Sequence, residues 1–186
     1  FLVGSGVTKI GMAEKEAAGI AEKRSGARGP ENVWGSALVG TFCGLGTLIL
    51  PDSIHPLLAL GYVASFSTKL SDTTATEIGK AFGQRTFLIT TLKPVPRGTE
   101  GAVSLEGTLA GIVGSVAIAA VGWLATLITP LDIGICAVAA FIATTAESLI
   151  GATLEQRWTW LTHDLVNVLN TLIGAISAIG IGWLLK

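Results

Sequence analysis

Charged residues are scarce in this chain, since Asp, Glu, Lys and Arg make up only 13% of its 186 residues. A soluble domain usually carries about a quarter. Half of the residues are hydrophobic, and the mean hydropathy is +0.66. The 24 glycines are typical of closely packed membrane helices, because small residues let two backbones approach each other. We therefore expect a helical bundle embedded in a membrane.

Other features are missing as well. The chain has only two cysteines, Cys43 and Cys136, and both lie in apolar runs, which indicates small buried side chains rather than a disulfide or a metal pair. No Walker motif and no Gly-x-Gly-x-x-Gly between a strand and a helix is present, which excludes a soluble nucleotide-binding fold. The net charge of −1 argues against a nucleic-acid partner.

Apolar segments dominate what remains. Because a membrane span needs about 20 apolar residues, fewer when it is buried among others, we predict an all-α, polytopic transmembrane bundle with about five full spans and a partial N-terminal one. We expect a single domain preceded by further spans, since Phe1 opens an apolar stretch. The predicted spans are 35–50, 56–70, 108–129, 131–150 and 165–185, after the partial segment 1–11.

The distribution of basic residues predicts an orientation. Threading these spans up and down places 11 of the 12 Lys and Arg on or next to one face of the membrane, with Lys186 opposite. The positive-inside rule makes that face cytoplasmic, or its equivalent in an organelle.

Polar residues recur at helical spacing just before and within the stretch "SDTTATEIGKAFG", residues 71–83. Lys69 and Asp72 share one helix face, and Glu77 lies beside it. Ionisable groups at the edge of a membrane segment are candidates for a functional site. The alternative is an amphipathic helix end with Lys69 reaching towards water. Ser65, Thr68 and Thr76 complete this face.

The last span carries a second polar stripe. Asp164, Asn167 and Asn170 follow one another at spacings of three, and such oxygen ligands suit a hard cation such as Mg²⁺. Alternatively, Asp164 caps the helix and the two amides form hydrogen bonds between helices. Glu147, near the end of the preceding span, is expected either to face the same interior as Asp72 or to pair with a lysine.

Two sets of basic residues flank these carboxylates. In the first, Lys9 and Lys15 alternate with glutamates as in a solvated helix. The tail of that set resembles an anion-binding loop, because Arg offers paired donors and Gly lets backbone amides converge. Its candidates are Arg24, Arg28 and Asn32.

The second basic set lies in a proline-containing loop. Lys93 and Arg97 precede Ser104, Glu106 and Thr108, which open a predicted helix. A helix N-terminus with small residues and two cations suits phosphate. Together these patterns indicate a ligand with phosphates, a metal ion and a lipid tail at one membrane interface.

Several of these strings resemble known families. "SDTTATEIGKAFG" is similar to the Asp-x-x-Ala-x-x-x-Gly-Lys-x-x-Gly element of polyprenol kinases and CDP-diacylglycerol synthases, and "AVSLEGTLAG" resembles the element that follows it there. The closer resemblance is to the phytyl-phosphate kinase family. It is carried also by "GIAEKRSGARGPENVWGSA", "AESLIGATLE" and "HDLVNVLNTLIGA", in the same order and over essentially the whole chain.

The resemblance implies that a nucleoside triphosphate, CTP by preference, phosphorylates phytyl phosphate or a related prenyl monophosphate with Mg²⁺. It implies a multi-pass protein of a plastid envelope or of a bacterial inner or thylakoid membrane, with a homo-oligomer left open. Within it we expect catalytic roles for Asp72, Lys69, Lys93 and Arg97, metal binding by Asp72, Glu77, Asp164 and Asn167, nucleotide binding by Arg24, Arg28, Asn32, Lys93, Arg97, Ser104, Glu106 and Thr108, and lipid-substrate contacts by Lys9, Lys15, Glu147 and Asn170.

Other functions remain open at this point. A CTP-dependent prenol kinase or a cytidylyltransferase would use similar residues, and an alcohol acceptor would need a base such as Asp72. A lipid-phosphate transporter is less favoured, because such proteins usually show two related halves and the sequence has no internal repeat.

Overall fold

The computed structural model describes residues 1–22, 30–154 and 162–185, and most of them are helical. The predicted helical class is confirmed, with the addition of one short pair of strands. The described α-helices are α1 (Leu2–Thr8), α2 (Met12–Ala17), α3 (Pro30–Gly46), α4 (His55–Phe82), α5 (Leu105–Leu124), α6 (Pro130–Thr153) and α7 (His163–Leu185), and the strands are β1 (Thr86–Leu88) and β2 (Ala102–Ser104).

Helix α4 is the centre of the bundle. It has 28 residues and contacts every other α-helix described. Its first half joins α5, α6 and α7 in an apolar core that includes Leu60, Val63, Ala119 and Cys136. Both cysteines are buried and free, as predicted.

The predicted glycine contact between helices is confirmed on α5. A Cβ atom on Gly107 would lie 2.6 Å from the carbonyl oxygen of Ala75 on α4, and one on Gly114 would lie 2.5 Å from Thr74 Oγ1. Gly111 faces Ser71 Oγ in the same way, at 3.1 Å. The small residues therefore let α5 lie directly against the polar half of α4.

A β-hairpin joins α4 to α5. Strands β1 and β2 pair antiparallel, with Thr86 opposite Ser104. Gly101 has a φ of +74° and lies so close to α6 that a Cβ atom would be 2.7 Å from the carbonyl oxygen of Ser148. The hairpin thus closes one end of the bundle between α4 and α6.

The number of spans differs from the prediction. Among the described residues, α5, α6 and α7 are long and apolar enough to cross a membrane, whereas about five spans were expected. The predicted span 35–50 is a shorter apolar helix, Val33–Gly46. The predicted span 56–70 belongs to α4, whose second half is polar but largely buried by its neighbours.

Candidate functional site: a polar cavity at the hairpin end of the bundle

A cavity of about 550 Å³ lies between the polar half of α4, the hairpin, α5 and α6. We call it the polar cavity. It brings together seven of the residues singled out in the sequence, from four different elements. These seven are Lys69, Asp72, Thr76, Glu77, Ser104, Thr108 and Glu147.

Lys69 is the more buried of two lysines that line this cavity, the other being Lys80. Its Nζ atom donates to Asp72 Oδ2 at 2.9 Å and also to Asn167 Oδ1 on α7, and the residue is only 8% exposed. A buried ammonium needs such partners, because an unpaired charge in an apolar interior is very costly. The alternative interpretation, an amphipathic helix end with Lys69 reaching towards water, is therefore wrong.

Glu77 is held by Lys15. Lys15 Nζ lies 2.5 Å from Glu77 Oε2 and donates to the carbonyl oxygen of Thr8 at 2.7 Å. Lys15 has no exposed surface, although its neighbours Glu14 and Glu16 are exposed. The expectation that Lys15 lies on a solvated face is wrong, because a partner 62 positions away draws it inward.

Two asparagine side chains of helix α7 form hydrogen bonds with charged residues of two other helices. Asn167 Oδ1 accepts from Lys69 of α4, and Asn170 Nδ2 donates to Glu147 Oε2 of α6 at 2.5 Å. Both amides are buried, and these bonds match the alternative in which the two Asn bridge helices. Glu147 lines the same cavity as Asp72, which matches the first of the two alternatives given for it. Asp164, in the first turn of α7, is exposed.

The predicted start of α5 is confirmed. Ser104 is the N-cap, and its Oγ atom accepts from the backbone amide of Gly107 at 3.1 Å. The first turn also contains Glu106, which accepts from the backbone amide of Gln84 at 3.3 Å. Thr108 Oγ1 donates to the carbonyl oxygen of Ser104, at 2.9 Å. Ser104 and Thr108 line the cavity, beside the hairpin that precedes them, whereas Glu106 is not among its lining residues.

Several predicted basic residues lie away from the described lining. Lys9 and Lys93 are exposed. Arg97 donates to the carbonyl oxygen of Ala81 at 2.7 Å, which ties the hairpin loop to the end of α4. Arg24, Arg28 and the side chain of Asn32 lie outside the described residues.

One wall of the polar cavity was missed in the sequence. Thr144, Thr145 and Ser148 of α6 line it beside Glu147. Three hydroxyls at close helical spacing within an apolar span could have indicated this face. Hydroxyls can accept and donate, so this wall can bind phosphate or sugar oxygens without adding charge.

The fold and this cavity define an integral membrane protein with a charged, ligand-sized site at one end of its helices. A site of this kind pairs cations and carboxylates in a space that phosphate groups can enter.

Comparisons with known proteins agree with this class. The chain belongs to the integral membrane protein DUF92 family, whose model matches residues 1–175. This membership confirms the resemblance to the phytyl-phosphate kinase family that the motifs carry. No solved structure matches the chain with significance.

Three relatives cover nearly all of the chain. It is 64% identical to the uncharacterized membrane protein sll0875 of Synechocystis over 97% of its length, and 48% identical to Protein VTE6, chloroplastic, of Arabidopsis thaliana over 96%. It is 32% identical to the uncharacterized membrane protein MJ0933 of Methanocaldococcus jannaschii over 96%. The chain spans 70%, 55% and 71% of these proteins, respectively.

Proposed function

We propose that this chain transfers a phosphoryl group from a nucleoside triphosphate to phytyl phosphate or a related prenyl monophosphate, which gives the diphosphate. The observation that carries the proposal is the partly buried Lys69–Asp72 pair, which lies in a polar cavity among apolar helices. CTP as the donor rests on the motif resemblance alone. The relatives from a cyanobacterium and a chloroplast support a thylakoid, plastid-envelope or bacterial inner membrane.

The proposed reaction needs no residue that acts as a general base. The acceptor is already a phosphate monoester whose second pKa is about 6, so its attacking oxygen is largely ionised near neutral pH. That oxygen forms a bond to the γ-phosphorus, the bond from the γ-phosphorus to the bridging oxygen breaks, and the nucleoside diphosphate leaves with the electron pair. The main obstacle is repulsion between two anions, which positioning and positive charge reduce.

Lys69 is the cation placed to reduce this repulsion. Asp72 and Asn167 hold its ammonium from two sides, so its position is set before substrate enters. A preorganised donor of this kind stabilises developing charge without rearrangement. The hydroxyls of Thr144, Thr145 and Ser148 complete the wall at which phosphate oxygens would bind.

Mg²⁺ fits this donor set as an ion that arrives with the nucleotide. The described residues form no group of three or more His, Cys, Asp or Glu that could hold a metal by themselves. Mg²⁺ is commonly bound by one or two carboxylates together with substrate phosphates and waters, and it would neutralise phosphate charge here. Asp72, which lines the cavity and is partly exposed, is the carboxylate that would hold it, and Glu77 lines the same cavity.

The test is direct assay of the purified protein in detergent. Phytyl monophosphate and Mg²⁺ are incubated with each of the four nucleoside triphosphates, and lipid and nucleotide products are identified by mass spectrometry. Phytyl diphosphate with release of the nucleoside diphosphate is expected. Lys69→Met and Asp72→Asn should each lower kcat by about 100-fold, the effect of removing one preorganised group.

Asp52→Asn is the matched control, because Asp52 is exposed in the turn between α3 and α4 at the other end of the bundle. Release of pyrophosphate would instead identify a cytidylyltransferase, and turnover of phytol but not of its phosphate would identify a prenol kinase. Full activity in Asp72→Asn would reject the role of Asp72 and keep the reaction.

A further inference from the structure

Two apolar residues stand at the deep end of the polar cavity. Ile112 of α5 and Phe141 of α6 both line it, yet they are 39% and 50% exposed, respectively. They lie deep along two helices that are apolar enough to cross a membrane. At a rise of 1.5 Å per residue, Ile112 is about 12 Å along α5 from the Ser104 cap. The cavity therefore extends from the charged end of the bundle into the apolar length of α5 and α6.

The way α5 and α6 contact each other leaves room at this position. Ser115 Oγ of α5 donates to the carbonyl oxygen of Cys136 on α6 at 3.4 Å, and both residues are fully buried. Ile112 precedes that contact by three residues, and Phe141 follows it by five. The helices are thus joined at Ser115 and Cys136, and the cavity separates them on the hairpin side of that junction.

We propose that the hydrocarbon chain of the lipid substrate leaves the polar cavity sideways, between Ile112 and Phe141, and extends into the membrane while its phosphate stays near Lys69. This inference rests on the proposed function, because it names the path of that substrate's tail. A cavity with a cation and hydroxyls at one end and exposed apolar residues at the other matches an amphiphile. An isoprenoid chain can occupy such an opening without any polar partner.

A second apolar groove provides the internal comparison. It lies between α1, α4 and α5 and is lined by Val3, Val7, Leu70 and Val113, among others. Gly111 and Gly114 pack α5 against α4 between this groove and the polar cavity, and no residue lines both. A phosphate bound at Lys69 therefore has no described path for its tail into that groove.

The first test is a pair of neighbouring substitutions. Ile112→Trp should narrow the opening, whereas Val113→Trp, one position on, places the same bulk in the other groove. For Ile112→Trp we expect the KM for phytyl phosphate to rise about tenfold, with the KM for the nucleotide unchanged. The KM for a five-carbon prenyl phosphate, whose tail ends inside the cavity, should also stay unchanged. Val113→Trp should leave all three values unchanged.

Opposite results overturn the inference. If Val113→Trp rather than Ile112→Trp raises the KM for phytyl phosphate, the tail lies in the other groove. If Ile112→Trp raises the KM for the nucleotide alone, the residues around Phe141 receive the base instead of the lipid.

A second measurement does not depend on catalysis or on a substituted chain folding. A prenyl monophosphate with a diazirine in its second isoprene unit, the part of the chain that would pass through the opening, is photolysed with the unmodified protein in nanodiscs, and labelled peptides are identified by mass spectrometry. Labelling near Ile112 and Phe141 that phytyl phosphate suppresses is the expected result. Labelling near Val3, Val7 and Val113, or none that phytyl phosphate suppresses, overturns the inference.

The kinase assay on the same preparation separates the two proposals. Turnover with labelling in the other groove rejects the exit path and keeps the reaction. Labelling at Ile112 and Phe141 without turnover keeps the exit path for a lipid phosphate and rejects the kinase.

Discussion

Lys15 and Glu77 form the most deeply buried ion pair described in this chain, at 0% and 3% side-chain exposure. Removing one partner of a buried pair leaves the other charge without compensation. Lys15→Met should therefore lower the free energy of unfolding by about 3–5 kcal/mol, whereas Lys15→Met with Glu77→Gln should recover much of that loss, because no buried charge remains. Unfolding in detergent with added denaturant, followed by circular dichroism, measures both.

Lys9→Met is the control for the loss of a positive charge in the same segment, since Lys9 is exposed. Surface substitutions usually change stability by less than about 0.5 kcal/mol. A double variant as unstable as Lys15→Met would mean that the ion pair itself, and not the unpaired carboxylate, determines stability at this position.

The individual roles of these side chains could be predicted from the sequence only in part. Lys69, Asp72 and Glu147 were recognised because charges are rare in apolar segments, and all three line the polar cavity. Lys15 was misjudged, because its glutamate neighbours are typical of a solvated helix while its partner is far away in sequence. The spacing of residues within one helix indicates which of them lie on the same face. It does not indicate which residues from distant parts of the chain contact that face.

The contact between α4 and α5 depends on glycines whose missing side chains leave room for the other backbone. A Cβ atom on Gly107 would be 2.6 Å from the carbonyl oxygen of Ala75, and backbone cannot move aside cheaply. Gly107→Ala should therefore destabilise the protein by about 1–3 kcal/mol, as overpacking usually does. It should also lower kinase activity, because α4 and α5 both line the polar cavity.

Gly134→Ala is the matched control, because Gly134 also lies within an apolar helix and nothing approaches its Cβ position within 4 Å. There the substitution should be neutral, or should stabilise by up to about 1 kcal/mol through helix propensity. Unfolding of the two variants side by side is the measurement. Equal free energies of unfolding for the two variants would show that α4 and α5 can move apart to admit the extra methyl group without any loss of stability.

The positions of α5, α6 and α7 could be predicted from the length of the apolar segments, and these helices lie within a few residues of the predicted spans. The length of α4 could not be predicted in this way, because its second half is polar although neighbouring helices bury it. Hydropathy depends on composition alone and does not report burial by neighbouring helices. The hairpin was also missed, since its strands have only three residues each and are held by pairing across a 13-residue loop.

The molecule as a whole has two unlike ends. Successive helices α4, α5 and α6 run back and forth, so the hairpin and the polar cavity lie at one end, while the turns around Asp52 and Thr126 lie at the other. Among the described basic residues, five line the cavity or belong to the hairpin and its flanks: Lys69, Lys80, Arg85, Lys93 and Arg97. Nucleotides are made and used in the cytoplasm or its organelle equivalent, so the proposed kinase would need to present the cavity there. The positive-inside rule predicts the same orientation.

Cysteine labelling tests this orientation in intact bacterial cells that express the protein. With Cys43 and Cys136 replaced by Ala, Asp52→Cys and Thr99→Cys mark the two ends, because both positions are exposed. A maleimide that cannot cross the membrane should label Asp52→Cys directly and Thr99→Cys only after the inner membrane is permeabilised. The reverse pattern would put the polar cavity on the side without nucleotide, and the kinase proposal would then fail along with the charge rule. Labelling of both positions from outside would mean that α4 does not separate the two ends across the membrane.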